Sequence, residues 1–294
     1  MSGGTGPAWR RAAVVLRDAG LTSPDAEARE LLAHVLGVDV ARLALVDGPD
    51  DQQTAALDAL VVRRASREPL QHLTGRAAFR HVELAVGPGV FVPRPETELL
   101  AGWAVAAARA VEGTPVVVDL GTGSGAIARA VAEEVPHAEV HAVELDEGAH
   151  AWAARNLAGT GVDLRLGDLA DAFVDLDDTV DVVVSNPPYI PLTAWESVTP
   201  EARDHDPAAA LWSGDDGLDA IRAVEVSAAR LLRDGGVVGV EHAEVQAEAA
   251  PAVFAATGRW REVRDHADLT DRPRWTTARL ARWARPGGPG TMAR

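Results

Sequence analysis

One junction constrains the fold of this chain more than any other feature: an apolar run, a glycine-rich loop and a helix follow one another without a gap. Pro115-Val116-Val117-Val118 leads into Asp119-Leu120-Gly121-Thr122-Gly123-Ser124-Gly125, and Ala126–Glu134 then carries a helical pattern. Glycine lets the backbone turn sharply and lets a ligand approach it, while the helix start offers unpaired N–H groups. From residue 99 onward strand and helix patterns keep alternating. Glu139–Val143, Val162–Leu166, Val180–Val184 and Val237–Val240 read as further buried strands, and Gly148–Asn156, Leu218–Leu232 and Val245–Ala256 as helices. Trp260–His266 and Arg274–Leu280 lie close enough to pair as an antiparallel edge. Such alternation predicts a doubly wound α/β domain.

Ahead of that domain the periodicity is helical. Ala12, Val15, Leu16 and Ala19 share one face of a helix over Trp9–Ala19, and Ser23-Pro24 opens a second that ends at Gly37. A third runs from Asp51 to Ser66, so a small helical bundle is expected. A period-2 alternation over Phe79–Val86, followed by the turn Gly87-Pro88-Gly89 and then Val90-Phe91-Val92, predicts a hairpin-like connector. The expected organisation is a helical domain over 1–75, a hairpin linker over 76–98, a catalytic domain over 99–284 and a disordered tail over 285–294.

Composition narrows the function. The chain of 294 residues carries 28 basic and 44 acidic side chains, a net charge of −16, which argues against a broad phosphate-clamping surface. It has no cysteine, which removes disulfides, thiolate nucleophiles and the common zinc sites. Every basic residue is Arg, so lysine Schiff-base and P-loop chemistry is excluded. Met1 to Arg11 lacks an apolar export segment and no apolar run reaches membrane-spanning length, so a cytoplasmic protein is expected. No metal-ligand cluster and no Ser/His/Asp constellation stands out; His242 beside Glu241 reads as a strand-end packing pair.

The glycine loop alone leaves two ligand classes open. Gly121, Gly123 and Ala126 satisfy a dinucleotide fingerprint, with Glu144 at the next strand's end to hold ribose hydroxyls. Asp119 ahead of the first glycine, together with Gly125, makes a tight acidic loop better suited to the amino-acid end of a sulfonium cofactor than to a pyrophosphate. In that reading Glu144 accepts both ribose hydroxyls and Asp168, in Leu166-Gly167-Asp168-Leu169, accepts from an adenine amino group; the structural alternative for Asp168 is a turn residue. After the fourth strand comes Ser185-Asn186-Pro187-Pro188-Tyr189-Ile190, which contains the chain's single tyrosine. The prolines stiffen the backbone, so the Asn186 side-chain oxygen and the Pro187 carbonyl become preset acceptors for a planar NH₂ group, with the Tyr189 ring stacked on its plane. The chemistry implied is in-line methyl transfer from S-adenosylmethionine to an amide or exocyclic amino nitrogen.

With these motifs the chain resembles the glutamine-N5 methyltransferases that modify peptide chain release factors. The resemblance spans most of residues 9–282 and includes Glu68–Gly75, Phe91-Val92-Pro93-Arg94-Pro95-Glu96-Thr97-Glu98, the Asp119–Gly125 loop, Asn186–Ile190, Gly214–Leu218, and Glu241 with Gln246. It implies a helical substrate-docking domain and a Rossmann-like catalytic domain with a seven-stranded sheet. It also implies a monomeric enzyme whose substrate is the glutamine of a Gly-Gly-Gln loop, bound by Asn186, Pro187, Pro188 and Tyr189. The catalytic residues would be Asn186, Pro187 and Tyr189. The cofactor residues would be Asp119, Gly121, Thr122, Gly123, Ser124, Gly125, Glu144, Asp168, Leu169 and Asn186. Leu169 stands where some relatives place an aromatic residue. Three other readings stay open: a glutamine methyltransferase for a ribosomal protein, an adenine-N6 nucleic-acid methyltransferase, and a dinucleotide-binding module without catalysis.

Overall fold

The computed structural model describes residues 4–281, apart from the Ser197 side chain, so the segment expected as a tail lies outside the described residues. Contacts divide the chain into two units. One comprises the residues up to Ala77 with Ala85–Val92 and Ser197–Asp206; the other comprises Ala78–Leu84, Pro93–Glu196 and the chain from Pro207 onward.

The first unit is built on four helices, α1 (Gly6–Asp18), α2 (Pro24–Leu36), α3 (Asp51–Ala65) and α4 (Leu70–Thr74). Its core gathers Leu16, Leu31, Leu32, Leu57 and Val61; of the stripe expected on the first helix, Ala12 and Leu16 are buried and Ala19 packs against them, whereas Val15 is exposed. Asp50 and Gln53 form a reciprocal capping box at the start of α3, and Gly37 ends α2 in the left-handed conformation. Arg64, buried in this unit, binds Glu27 at 2.6 Å and Glu201 at 3.2 Å. Glu201 belongs to α8 (Pro200–His205), so a segment from late in the sequence is held by an arginine of α3.

The second unit is an α/β domain. Its seven strands are β3 (Val116–Leu120), β4 (Glu139–Glu144), β5 (Asp163–Leu166), β6 (Val180–Ser185), β7 (Leu232–Glu241), β8 (Trp260–Ala267) and β9 (Pro273–Leu280). They lie in the order β5-β4-β3-β6-β7-β9-β8. The first five are parallel, and β9 pairs antiparallel with both β7 and β8. The helices are α5 (Thr97–Arg109), α6 (Ala126–Glu134), α7 (Glu147–Leu157), α9 (Asp219–Leu231) and α10 (Ala249–Ala255). Strands β3 and β6 are buried along nearly their whole length, which is why they read as continuous valine runs rather than as alternation.

Two local expectations give way. The two-stranded hairpin pairs β1 (Arg76–Phe79) with β2 (Val82–Ala85), and Val90–Val92 forms no strand. The turn therefore falls at Arg80, not at Gly87-Pro88-Gly89. Arg80 takes a left-handed φ of 52° and is held there by Glu134 at 2.6 and 2.9 Å and by the Glu98 carbonyl at 2.9 Å. The helix expected over Val245–Ala256 starts only at Ala249. Pro251 has no N–H to give to a preceding turn, so a proline can sit only in the first turn of that helix.

Helix α5 crosses the sheet over Gly239 of β7. A Cβ there would stand 2.4 Å from the Trp103 ring and 2.9 Å from Leu100. Gly239→Ala is expected to lower unfolding free energy by about 1–3 kcal/mol through overpacking, measured by urea denaturation.

Candidate active site

In a parallel sheet the loops that follow the carboxyl ends of neighbouring strands share one crevice. Here β3 and β6 pair in register from Val117 with Val182 to Asp119 with Val184, then part. The Ser185 hydroxyl donates to the Leu120 carbonyl at 2.6 Å at the point of divergence. The glycine loop and the Asn-Pro-Pro-Tyr run thus leave the sheet side by side.

Gly121, Gly123 and Gly125 have φ of 73°, 58° and 84°, conformations that side chains with a Cβ resist. The amides of Gly121 and Thr122 donate to the Val143 carbonyl at 3.0 and 2.9 Å, which pins the loop to the end of β4. Asn156 donates to the Ser124 carbonyl at 2.8 Å, and Leu157 packs where a Cβ of Gly125 would fall, at 3.1 Å. Around Gly123 nothing stands within 4 Å of such a Cβ, so a ligand can lie against the backbone.

Asp119 is buried beneath the loop, with Oδ2 accepting from Thr122 Oγ1 at 2.6 Å and from the Ala128 amide at 3.1 Å. Its Oδ1 has no hydrogen-bond partner. Burial pushes this carboxyl up to about 7, with the Thr122 and Ala128 hydrogen bonds opposing and the Glu144 charge adding to the rise. A ligand ammonium is the kind of group that would satisfy Oδ1. Half-buried Glu144 accepts from the Gly123 amide at 2.8 Å and the Asp146 amide at 2.9 Å, which fixes its carboxylate at the rim. The Gly123 N–H that a pyrophosphate would need is already spent on a carboxylate, and the surrounding charge is negative. This geometry opposes the dinucleotide reading.

Asp168 is exposed, and its Oδ1 accepts from the Ala170 amide at 2.9 Å, so it makes the turn. Leu169 comes within 4.0 Å of a Cβ position on Gly121 while packing on the core, so it covers the first glycine.

The Asn186 side-chain nitrogen donates to Thr97 Oγ1 at 3.1 Å, which turns Oδ1 away from Thr97. Pro187 is buried. The Tyr189 hydroxyl donates to Glu241 Oε1 at 3.2 Å, and Thr97 also hydrogen-bonds Glu241. Glu241 is buried at the end of β7, and burial pushes its carboxyl up to about 7; the Thr97 and Tyr189 hydrogen bonds oppose the rise and the Glu96 charge adds to it. The Tyr189 phenol is pushed well above its ordinary value by burial and by Glu241. Gln246 clamps the run from outside, its amide donating to the Tyr189 carbonyl at 3.0 Å and the Asp216 carbonyl at 3.2 Å. Gly217 makes that approach possible, since a Cβ there would meet the Tyr189 carbonyl at 2.4 Å.

Asn186, Pro187 and Tyr189 therefore gather on one side, with Asp119, Glu144 and the glycines on the other. Thr97 and Glu241 carry the hydrogen bonds behind them, and residue patterns alone assigned neither a role; the signal that could have found Thr97 is the Pro-Arg-Pro-Glu-Thr-Glu run. His242 turns to Asp265 at 2.9 Å and to the Ala243 carbonyl at 3.0 Å, and makes no dyad with Glu241.

Comparison with known proteins places the chain in a family. Residues 7–75 match the family model described as PrmC N-terminal domain, and residues 99–199 match the methyltransferase small domain. The chain is 58% identical over 267 residues to the release factor glutamine methyltransferase of Streptomyces coelicolor, covering 90% of this chain and 94% of that protein. It is 48% identical over 274 residues to the protein of the same name from Mycolicibacterium smegmatis, covering 92% and 96%. It is also 43% identical over 258 residues to a 4-amino-L-phenylalanine/4-methylamino-L-phenylalanine methyltransferase of Streptomyces pristinaespiralis, covering 83% and 85%.

Asp119 yields a test by pH. Its folded value of about 7 lies above the ordinary 3.8, so between these values the folded chain keeps a proton that the unfolded chain releases. Stability from this group therefore falls as pH rises through that window, and the deficit is complete above about 7. Asp119→Asn keeps an acceptor for Ala128 and removes the charge. Its melting temperature is expected to exceed that of the parent at about pH 8, with the difference vanishing near about pH 4.

Proposed function

The chain belongs to the release factor glutamine methyltransferase family, and we propose that it transfers a methyl group to the side-chain amide nitrogen of the glutamine in a release factor's Gly-Gly-Gln loop, modulating translation termination. S-adenosylmethionine is the donor, and S-adenosylhomocysteine the product. The observation that carries the reading is an acid-floored glycine loop standing beside Asn186, whose amide nitrogen is held by Thr97, where the central strands β3 and β6 part. The enzyme works in the cytoplasm, and the helical unit docks the release factor. Among the described residues no helix is long and apolar enough to cross a membrane.

The donor supplies an electrophilic methyl carbon. Asp119 Oδ1 would take the ammonium of its amino-acid end, Gly121 through Gly125 would border it, and Glu144 would accept from the ribose hydroxyls. Leu169 and the Asp168 turn border the adenine. Asn186 Oδ1 and the Pro187 carbonyl each accept one N–H of the glutamine amide, and the Tyr189 ring covers its plane. An amide lone pair is delocalised, so the nitrogen is a weak nucleophile. Two acceptors on its N–H groups favour the pyramidal geometry of methyl transfer; the N–CH₃ bond forms as the S–CH₃ bond breaks with its electron pair left on sulfur, and the nitrogen gives up one proton to solvent. Catalysis in this site rests on alignment and preset dipoles rather than on a strong base.

The assay is transfer of labelled methyl from S-adenosylmethionine, with peptide mapping, to release factors, ribosomal proteins, duplex DNA and 4-aminophenylalanine in parallel. Label on the Gly-Gly-Gln glutamine is expected; label confined to any other acceptor overturns the substrate assignment. Asn186→Ala should keep the fold and lose turnover by about 10²-fold, in the range of a removed preset contact.

A further inference from the structure

The side-chain amide of Asn186 can present either its oxygen or its NH₂ group to the crevice, and only the oxygen accepts from an incoming nitrogen. Something must select the orientation. We propose that Thr97 is a positioning residue that sets this choice: anchored by Glu241, its hydroxyl accepts from the Asn186 NH₂ group and so turns Asn186 Oδ1 toward the substrate nitrogen. The proposal rests on the methyl-transfer reading above and adds a residue to it.

The argument follows the direction of each hydrogen bond. Glu241 is buried, and Tyr189 donates its hydroxyl hydrogen to Oε1 at 3.2 Å. Thr97, 4% exposed at the first turn of α5, also hydrogen-bonds the Glu241 carboxylate. At pH above about 7, where Glu241 is ionised, its carboxylate only accepts, so the single hydroxyl hydrogen of Thr97 is committed to Glu241. Thr97 Oγ1 then faces Asn186 with lone pairs alone, and the Asn186 group it can receive from is NH₂, at 3.1 Å. If that amide were reversed, two acceptors would oppose each other in a buried pocket at a cost comparable to a lost hydrogen bond. The chain Tyr189–Glu241–Thr97–Asn186 thus converts one buried charge into a defined orientation two hydrogen bonds away.

The groups around Glu241 are consistent with this. Glu96, beside Thr97, raises the proton affinity of Glu241, and Arg274 of β9 lowers it. Arg274 is itself paired with Asp268 at 2.9 Å, so it supports Glu241 at a distance and does not take the carboxylate oxygens from Thr97 and Tyr189. Neighbouring His242 is occupied by Asp265 and the Ala243 carbonyl. The Pro-Arg-Pro-Glu-Thr-Glu run contains this threonine, which gives that motif a role in the site.

The test uses the full chain and a direct readout of the Asn186 amide. The sequence has two asparagines, Asn156 and Asn186, so side-chain amide signals of selectively ¹⁵N-labelled protein are assigned by the loss of one pair in Asn186→Ala. Thr97→Val, which keeps shape and removes the hydroxyl, should shift the Asn186 pair, leave the Asn156 pair in place and preserve S-adenosylhomocysteine affinity. Thr97→Ser should restore the parent signal. On a release factor substrate, Thr97→Val should lower kcat by about tenfold or more with KM changed less than about threefold, the signature of an interaction realised in the transition state, and Thr97→Ser should recover most of it. In an Asn186→Ala background Thr97→Val should cost nothing further, because both act through one contact. Losses that multiply, or an Asn186 signal indifferent to Thr97→Val, overturn the proposal. If Thr97→Val does not fold, solvent exchange of the parent protein decides: slow exchange of one Asn186 amide hydrogen supports the contact, and fast exchange of both refutes it. A parent enzyme that labels no release-factor glutamine refutes the function reading instead, while the amide signal still judges the hydrogen bond.

Discussion

Parallel pairing of β3 with β6 is the constraint on which the site depends. Because the two strands keep register to Asp119 and Val184, their following loops must start at the same height and diverge around a shared gap. The Ser185 hydroxyl on the Leu120 carbonyl closes the sheet just below that gap and satisfies a carbonyl that has left the ladder. Everything above this point is loop, and each loop is then tied down separately. Val143, Asn156 and Leu157 hold the glycine turn. Thr97, Glu241 and Gln246 hold the Asn-Pro-Pro-Tyr run.

Two buried acids divide the electrostatic work. Asp119 and Glu241 both lie in surroundings that push their carboxyls up to about 7, chiefly by burial. A buried carboxylate is costly unless its lone pairs are met. Glu241 meets Thr97 and Tyr189 and is complete within the protein, so its charge serves internal order. Asp119 is incomplete, with one oxygen satisfied by the loop it supports and the other without a partner. That asymmetry separates a structural acid from a ligand-facing one, and no residue-type pattern contains it.

What could be read from the sequence follows from how local each signal is. The glycine loop, the strand alternation and the Asn-Pro-Pro-Tyr run are contiguous, and their chemistry depends on neighbours one to four residues away. The parallel core strands were legible because burial on both faces forces valine runs such as Val182-Val183-Val184. The hairpin was placed one turn too late because Gly87-Pro88-Gly89 has the composition of a turn, whereas the real one depends on Arg80 being held by Glu134, 54 residues away. Helix α10 starts late because Pro251 limits where a first turn can fall, a point the apolar periodicity concealed. Asp168 was legible as both a ligand contact and a turn residue, and the turn is visible in its bond to Ala170. Thr97 and Glu241 were hidden for the same reason as Arg80: their partners lie 89 and 52 residues away.

A weak nucleophile explains why so much of the chain is devoted to immobility. With no strong base at the reacting nitrogen, rate must come from holding the acceptor pair and the ring in one geometry before the substrate arrives. Tyr189 is fixed at both ends, its hydroxyl by Glu241 and its carbonyl by Gln246, so the ring plane has little freedom left. Gly217 lets that carbonyl and the Gln246 amide meet, and a side chain there would displace both. The single tyrosine is thus a preset wall whose orientation is set by an acid on β7 and an amide beyond it. Thr97 carries the same acid's influence to Asn186, so one buried carboxylate orders both halves of the run.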